Sequence, residues 1–100
     1  MTKADIVDII ASATGLTKVE TEAVVDGFIS TVINSLKEGK NIEIRGFGSF
    51  KAKKRKGRIA RNPRTGEQVI VDEHFVPLFK VSKDLKHAVD ENLKKMAPTQ

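Results

Sequence analysis

Between Arg45 and Gly66 the chain carries nine Lys or Arg residues and no Asp or Glu, a run too charged to be buried. The nine are Arg45, Lys51, Lys53, Lys54, Arg55, Lys56, Arg58, Arg61 and Arg64. Outside the run, nine basic side chains face thirteen acidic ones, so the overall charge of +5 sits on one stretch of an otherwise mildly acidic body. Whatever this chain folds into must leave that stretch in water or against a polyanion. Charge alone is equally compatible with a solvated or disordered tether, so the flanking pattern has to decide.

At 100 residues the chain makes one domain at most. If the basic stretch and its pairing strand project into solvent, fewer than about 80 residues remain to build a core, and domains near that size bury only about 60 % of their unfolded surface. A core shared with a second copy answers that shortage. No apolar run approaches the roughly 18–20 residues of a membrane span, and the N-terminus lacks a signal-peptide pattern. With no cysteine there is no disulfide, thiol nucleophile or thiolate metal site, which is compatible with a reducing cytoplasm.

The first 39 residues read as two amphipathic helices. Thr2 and Asp5 form a capping box, Ile6, Ile9, Ile10 and Ala13 make an apolar face, and Gly15 stops the helix. Thr17 and Glu20 form a second box. Ala23, Val24, Phe28, Ile29, Val32, Ile33 and Leu36 then recur at helical spacing up to Gly39. These stripes predict core packing rather than a ligand box.

From Asn41 the period falls to two. Ile42 and Ile44 point one way and Glu43 and Arg45 the other, as in a half-buried strand. Gly46-Phe47-Gly48 predicts a turn and Phe50 opens a second strand. Asn62-Pro63-Arg64-Thr65-Gly66 is a strong turn signal between the basic limb and β-branched Val69, Ile70 and Val71. Residues from about 51 to 75 thus form a long hairpin tipped near Pro63, with an outer half that is mobile until a partner orders it. Val76, Leu78, Phe79 and Val81 return the chain to the core. Ser82 caps a third helix over 82–97 with Leu85, Ala88, Val89, Leu93 and Met96 on one side, and Ala97 to Gln100 fray.

A narrow cationic ribbon suits a DNA groove, where its side chains reach phosphates on both walls. A proline at its exposed tip is either an ordinary turn residue or a rigid wedge that unstacks one base step and kinks the duplex. Two other classes compete. An enzyme finds little support, because His74 and His87 stand in no metal-ligand or triad pattern and read as strand-end and helix-surface residues. A basic module for RNA or another polyanion lacks exposed aromatics on the arm for stacking bases, since Phe47, Phe50 and Phe75 lie near its base, and there is no lipid-facing stripe.

The run Asn41-Ile42-Glu43-Ile44-Arg45-Gly46-Phe47-Gly48-Ser49-Phe50, then Gly57-Arg58, Arg61-Asn62-Pro63-Arg64-Thr65-Gly66 and Val76-Pro77-Leu78-Phe79-Lys80 resemble the bacterial HU and integration host factor family. The resemblance covers nearly the whole chain in order. It implies an α+β fold: two N-terminal helices (1–39), a three-stranded antiparallel sheet with a long β-hairpin arm (40–81), and a C-terminal helix, assembled as an intertwined dimer. It also implies an architectural protein of the bacterial nucleoid, in the cytoplasm, that bends and compacts double-stranded DNA. Such a protein favours bent, nicked or flexible sites and needs no cofactor or metal. A homodimer is the expected assembly, with a heterodimer as the alternative.

Carried onto matching positions, the resemblance makes Pro63 the intercalating wedge, with Arg58, Arg61, Asn62 and Arg64 contacting the minor groove and nearby phosphates. Lys51, Lys53, Lys54, Arg55 and Lys56, joined by Lys80, would line the saddle and arm base. Lys3, Lys83 and Lys86 sit in first turns of helices, where flanking DNA or plain solvation awaits them. Phe28, Ile29, Val32, Ile44, Phe47, Phe50 and Phe79 would form the dimer core. Ala60 departs from the glycine usual before Arg-Asn-Pro, which stiffens the arm. The long third helix and the Ile42–Gly48 run resemble the beta subunit of the sequence-preferring branch, in which Arg45 either enters a flanking A-tract or contacts phosphate. If about six to ten phosphates are neutralised, affinity falls by roughly 10³–10⁵ between 50 and 200 mM salt.

Overall fold

In the computed structural model, which describes residues 1–96, three helices and five strands follow in the order α1 (Lys3–Thr14), α2 (Lys18–Lys37), β1 (Ile42–Ile44), β2 (Gly48–Arg55), β3 (Arg58–Arg61), β4 (Gln68–Val71), β5 (His74–Val81) and α3 (Lys83–Met96). The expected fraying of Ala97 to Gln100 lies outside the described residues. Both N-terminal capping boxes form. The Thr2 hydroxyl accepts the Asp5 N–H at 3.3 Å while the Asp5 carboxylate accepts the Thr2 N–H at 2.8 Å, and Thr17 and Glu20 repeat the exchange. Caps of this kind are worth about 1 kcal/mol each, and they fix where two helices of mixed composition begin.

The packing face of α1 differs from the expected one. Val7 and Ala11 are buried against α2 and Ile10 is half-buried, whereas Ile6 and Ile9 lie exposed on the single chain. Helical position explains the shift: Val7 and Ala11 are four residues apart and stack on one line, and the isoleucines flank that line. On α2 the most buried residue is Thr21, whose hydroxyl donates to the Thr17 carbonyl at 2.8 Å and so tolerates the apolar contact. Phe28, Ile29 and Ile33, further along α2, remain 49, 42 and 51 % exposed.

β1, β2 and β5 form an antiparallel sheet in the order β1-β2-β5, with Phe50 opposite both Ile42 and Phe79. Directly opposed residues share a face, so Ile42, Ile44, Phe50, Ala52, Pro77 and Phe79 look toward α2. On that face the rings of Phe47 and Phe50 lie 5.0 and 4.7 Å from that of Phe79, tilted as aromatic clusters prefer. Alternation sends Val76, which is half-buried, and Leu78 to the other face, beside Lys53 and Lys51, and leaves Phe79 and Val81 on the helix-facing one. Even these are 40 and 44 % exposed.

The chain alone does not close. Its radius of gyration is 19.4 Å, against about 13 Å for a compact domain of this length. No residue of α3 is buried, and Val89, Leu93 and Met96 form an open apolar stripe with Leu85. The N-terminus of α3 is nevertheless fixed: the Ser82 hydroxyl accepts the Leu85 N–H at 3.0 Å and the Ser82 N–H donates to the Phe47 carbonyl at 3.0 Å.

Gly48 marks the tightest point. A Cβ there would collide with the Lys80 carbonyl oxygen and with the ring of Phe79. Gly48→Ala is therefore predicted to destabilise the fold by about 1–3 kcal/mol, read as a lower urea midpoint with unchanged slope.

Candidate nucleic-acid interface

The arm is two ribbons in series. The inner one pairs β2 with the first half of β5, and the outer one pairs β3 with β4, so that Arg58 faces Val71, Ile59 faces Ile70 and Arg61 faces Gln68. The expected hairpin over residues 51–75 is interrupted at Lys56-Gly57 on one limb and Asp72-Glu73 on the other. At the break Gly57 lies so close to the Val71 carbonyl that a Cβ there would clash with it.

Strand alternation sorts the basic residues. Lys51, Lys53 and Arg55 occupy the outer face of the inner ribbon, and Lys80 joins them through its pairing with Ser49. Arg45, Lys51 and Lys80 line one shallow concavity with Glu43 and Ser49 at the sheet end. Arg55, Lys56 and Arg58 surround a second concavity at the root of the outer ribbon. The cations of this face run along the ribbon beside Val76 and Leu78.

Not every predicted residue joins it. Lys54 lies opposite Phe75 on the helix-facing side, and its ammonium meets the Glu73 carboxylate at 3.0 Å. Lys3 is bound to Asp26 at 2.8 Å, tying α1 to α2. The hydrogen bond from its ammonium to that carboxylate, backed by the same charge, raises the Lys3 pKa above its ordinary value. Lys83 and Lys86 are exposed on α3, and Lys86 borders that helix's apolar stripe. Arg58 and Arg61 point to opposite faces of the outer ribbon, because two residues lie between them and strand side chains alternate.

The tip is built around Asn62. Its N–H donates to the Glu67 carbonyl at 2.8 Å, its carbonyl accepts the Gly66 N–H at 2.7 Å, and its side-chain Oδ1 accepts the Arg64 N–H at 2.9 Å. That last bond is an Asx turn. It leaves the Nδ2 donors of Asn62 outside the turn's hydrogen bonds. Gly66, at φ 75°, closes the loop in the left-handed region, and the Thr65 hydroxyl accepts the Glu67 N–H at 3.3 Å. Thr65, a member of the turn motif, and Glu67, which the sequence did not single out for the turn, thus hold the tip. Pro63 stands exposed at the apex between Arg61 and Arg64.

Among the described residues no group of three or more His, Asp or Glu side chains is placed to hold a metal. Three helices, a small antiparallel sheet and a cationic two-part ribbon define the class of chain, and sequence comparison gives the family. The family model for bacterial DNA-binding protein matches residues 1–90. The chain is 44 % identical over 96 residues to integration host factor subunit beta of Marinobacter nauticus, covering 95 % of this chain and 98 % of that one. It is 35 % identical over 91 residues to DNA-binding protein HU of Buchnera aphidicola, covering 91 % and 99 %. Its fold superposes on Anabaena HU in a cocrystal with DNA with a TM-score of 0.81 at 32 % identity, covering 99 % of this chain and all of that one. On the V42I mutant of Thermotoga maritima HU the TM-score is 0.67 at 29 % identity, covering 89 % and 99 %. This chain belongs to the bacterial DNA-binding protein family of HU and integration host factor. That family consists of DNA-binding proteins and not of enzymes.

The sorting of lysines by face predicts a contrast between neighbours. Lys53→Ala should flatten the dependence of log K on log salt for duplex DNA by about 0.9 for each phosphate it no longer neutralises, whereas Lys54→Ala should leave the slope unchanged. Titration by fluorescence anisotropy at several salt concentrations checks both.

Proposed function

We propose that this protein is an architectural DNA-bending protein of the bacterial nucleoid, acting as a homodimer whose two arms enter the minor groove. The observation that carries the reading is the tip. Pro63 sits exposed at the end of a cationic ribbon, on a loop that Asn62 holds through both its backbone and its side chain. A proline has no N–H to leave unpaired and no side-chain freedom to lose, so a rigid loop presents it as a wedge. Unstacking one base step costs a few kcal/mol, which the phosphate contacts of Lys51, Lys53, Arg55, Lys56 and Arg58 on the bent duplex offset. Arg61 and Arg64 flank the wedge, where the negative potential of a narrow groove is strongest.

The same energetics set the preference for sites. A side chain that reads the minor groove distinguishes A·T from G·C and little more. Selection therefore works through deformability, and flexible, nicked or already bent duplexes bind best because less bending remains to be done. Repeated bending compacts DNA.

The open apolar surface supports the dimer. Phe28, Ile29, Ile33, Phe47, Phe79, Val81 and the stripe of α3 are too much apolar area for a soluble monomer to leave in water. Covering them at about 25 cal/mol per Å² provides the core that one chain lacks. Among the described residues no helix is long and apolar enough to cross a membrane, so these surfaces are not a bilayer span. Sedimentation equilibrium should give twice the 11.0 kDa chain mass; a folded monomer at micromolar concentration would contradict the assembly.

Pro63→Ala isolates the wedge. The bend angle at saturation, from circularisation of short duplexes, should fall by more than half while Kd moves by less than about tenfold, or 1.4 kcal/mol. Equal loss of bending and binding would remove Pro63 as the wedge.

A further inference from the structure

His74 opens β5 directly opposite Arg55, on the same outer face as Lys51 and Lys53. Its ring lines the concavity formed by Arg55, Lys56 and Arg58, with Val71 and Val76 as the apolar wall. Its Nδ1 lies 2.9 Å from the Asp72 carbonyl oxygen. A carbonyl can only accept, so this contact places a proton on Nδ1 and leaves Nε2 as the atom that changes state. When the ring is neutral, Nε2 carries a lone pair that repels a phosphate oxygen. When it is protonated, Nε2–H is a charged donor.

From this geometry we infer that His74 is a phosphate ligand at the root of the arm and that it takes up a proton when DNA binds. The inference rests on the DNA-binding reading of the arm and adds to it a residue that the tally of lysines and arginines leaves out. The groups facing the ring from every side fix the sign of the coupling. Arg55 from β2, Lys56 from the break and Arg58 from β3 surround the ring with groups that draw in an anion. Asp72 contributes its carbonyl, and the Glu73 carboxylate is bound to Lys54 on the opposite face. A DNA phosphate drawn in by the three cations favours the charged ring, because it is the anion that a protonated ring would bond.

The ring thus holds its second proton more tightly in the complex than in the free protein. The extra binding is fully present at low pH, where the ring is charged in both states. It is lost as pH rises through the range in which the bound ring gives up that proton. The same linkage requires net proton uptake on binding. His87 serves as an internal control: it lies on the exposed surface of α3, where its Nε2 is 3.5 Å from the Glu91 carboxylate and away from the arm.

The test is anisotropy titration of a duplex of about 40 base pairs, long enough to carry roughly ten or more phosphate contacts, at pH values from 5.5 to 8.5 and constant ionic strength. Wild type, His74→Gln and His87→Gln are compared. Wild type should bind more tightly as pH falls, with a slope of log K against pH approaching −1 for each arm engaged. The salt slope at pH 5.5 should exceed that at pH 8.5 by about 0.9 per arm. His74→Gln should lose both effects while keeping the wild-type thermal midpoint, and His87→Gln should retain both. Calorimetry in two buffers of different ionisation enthalpy should show proton uptake for wild type and less for His74→Gln. A pH dependence equal in wild type and His74→Gln would overturn the inference. So would a flat wild-type profile with DNA binding intact, which leaves the DNA-binding reading standing. Absence of duplex binding at every pH would instead remove that reading itself.

Discussion

The charge on the arm cannot be buried, and the rest of the structure accommodates that fact. A strand pair carrying Lys51, Lys53, Arg55, Arg58 and Arg61 cannot be buried along its length, so it extends from the body as a ribbon. The residues left behind are then too few to close a core, and the chain spans 56 × 44 × 27 Å with most of its large apolar side chains open. One constraint accounts for both ends of the molecule: the arm needs a polyanion, and the body needs a second copy. In the proposed dimer these needs are met together, because pairing two bodies places two arms on one duplex.

Within the arm, strand period converts a run of charges into a surface. Nine cations in a row look equivalent along the sequence, yet the register separates them. Lys53 faces outward with Arg55, while Lys54 turns under to meet Glu73. Arg58 and Arg61 take opposite faces of the outer ribbon, which suits a blade that contacts both walls of a groove. The break at Lys56-Gly57 separates the cationic face of the inner ribbon from the tip that carries Pro63.

Much of this was legible in the sequence. Capping boxes at Thr2 and Thr17, the switch from helical to strand period at Asn41 and the turn at Asn62–Gly66 are local signals, and local signals locate elements well. Three features were not legible, each for a physical reason. Val7 and Ala11 bury on α1 in place of the larger isoleucines, because the face is chosen by α2, a partner distant in sequence. Lys54 and His74 change their meaning with register, which depends on which residue opposes which. The bonds by which Asn62 shapes the turn that presents Pro63 depend on the geometry of the closed loop, and its Nδ2 stays outside them as a donor.

The central claim is that the protein binds in order to bend. End-to-end fluorescence energy transfer on a doubly labelled duplex of about 40 base pairs, a fraction of the roughly 150 base-pair persistence length of DNA, measures this directly. Anisotropy on the same samples fixes the point of saturation. The account predicts that transfer rises with bound protein and reaches a plateau as anisotropy does. Full saturation with transfer unchanged from the free duplex would mean a protein that coats DNA without deforming it, and would contradict the account.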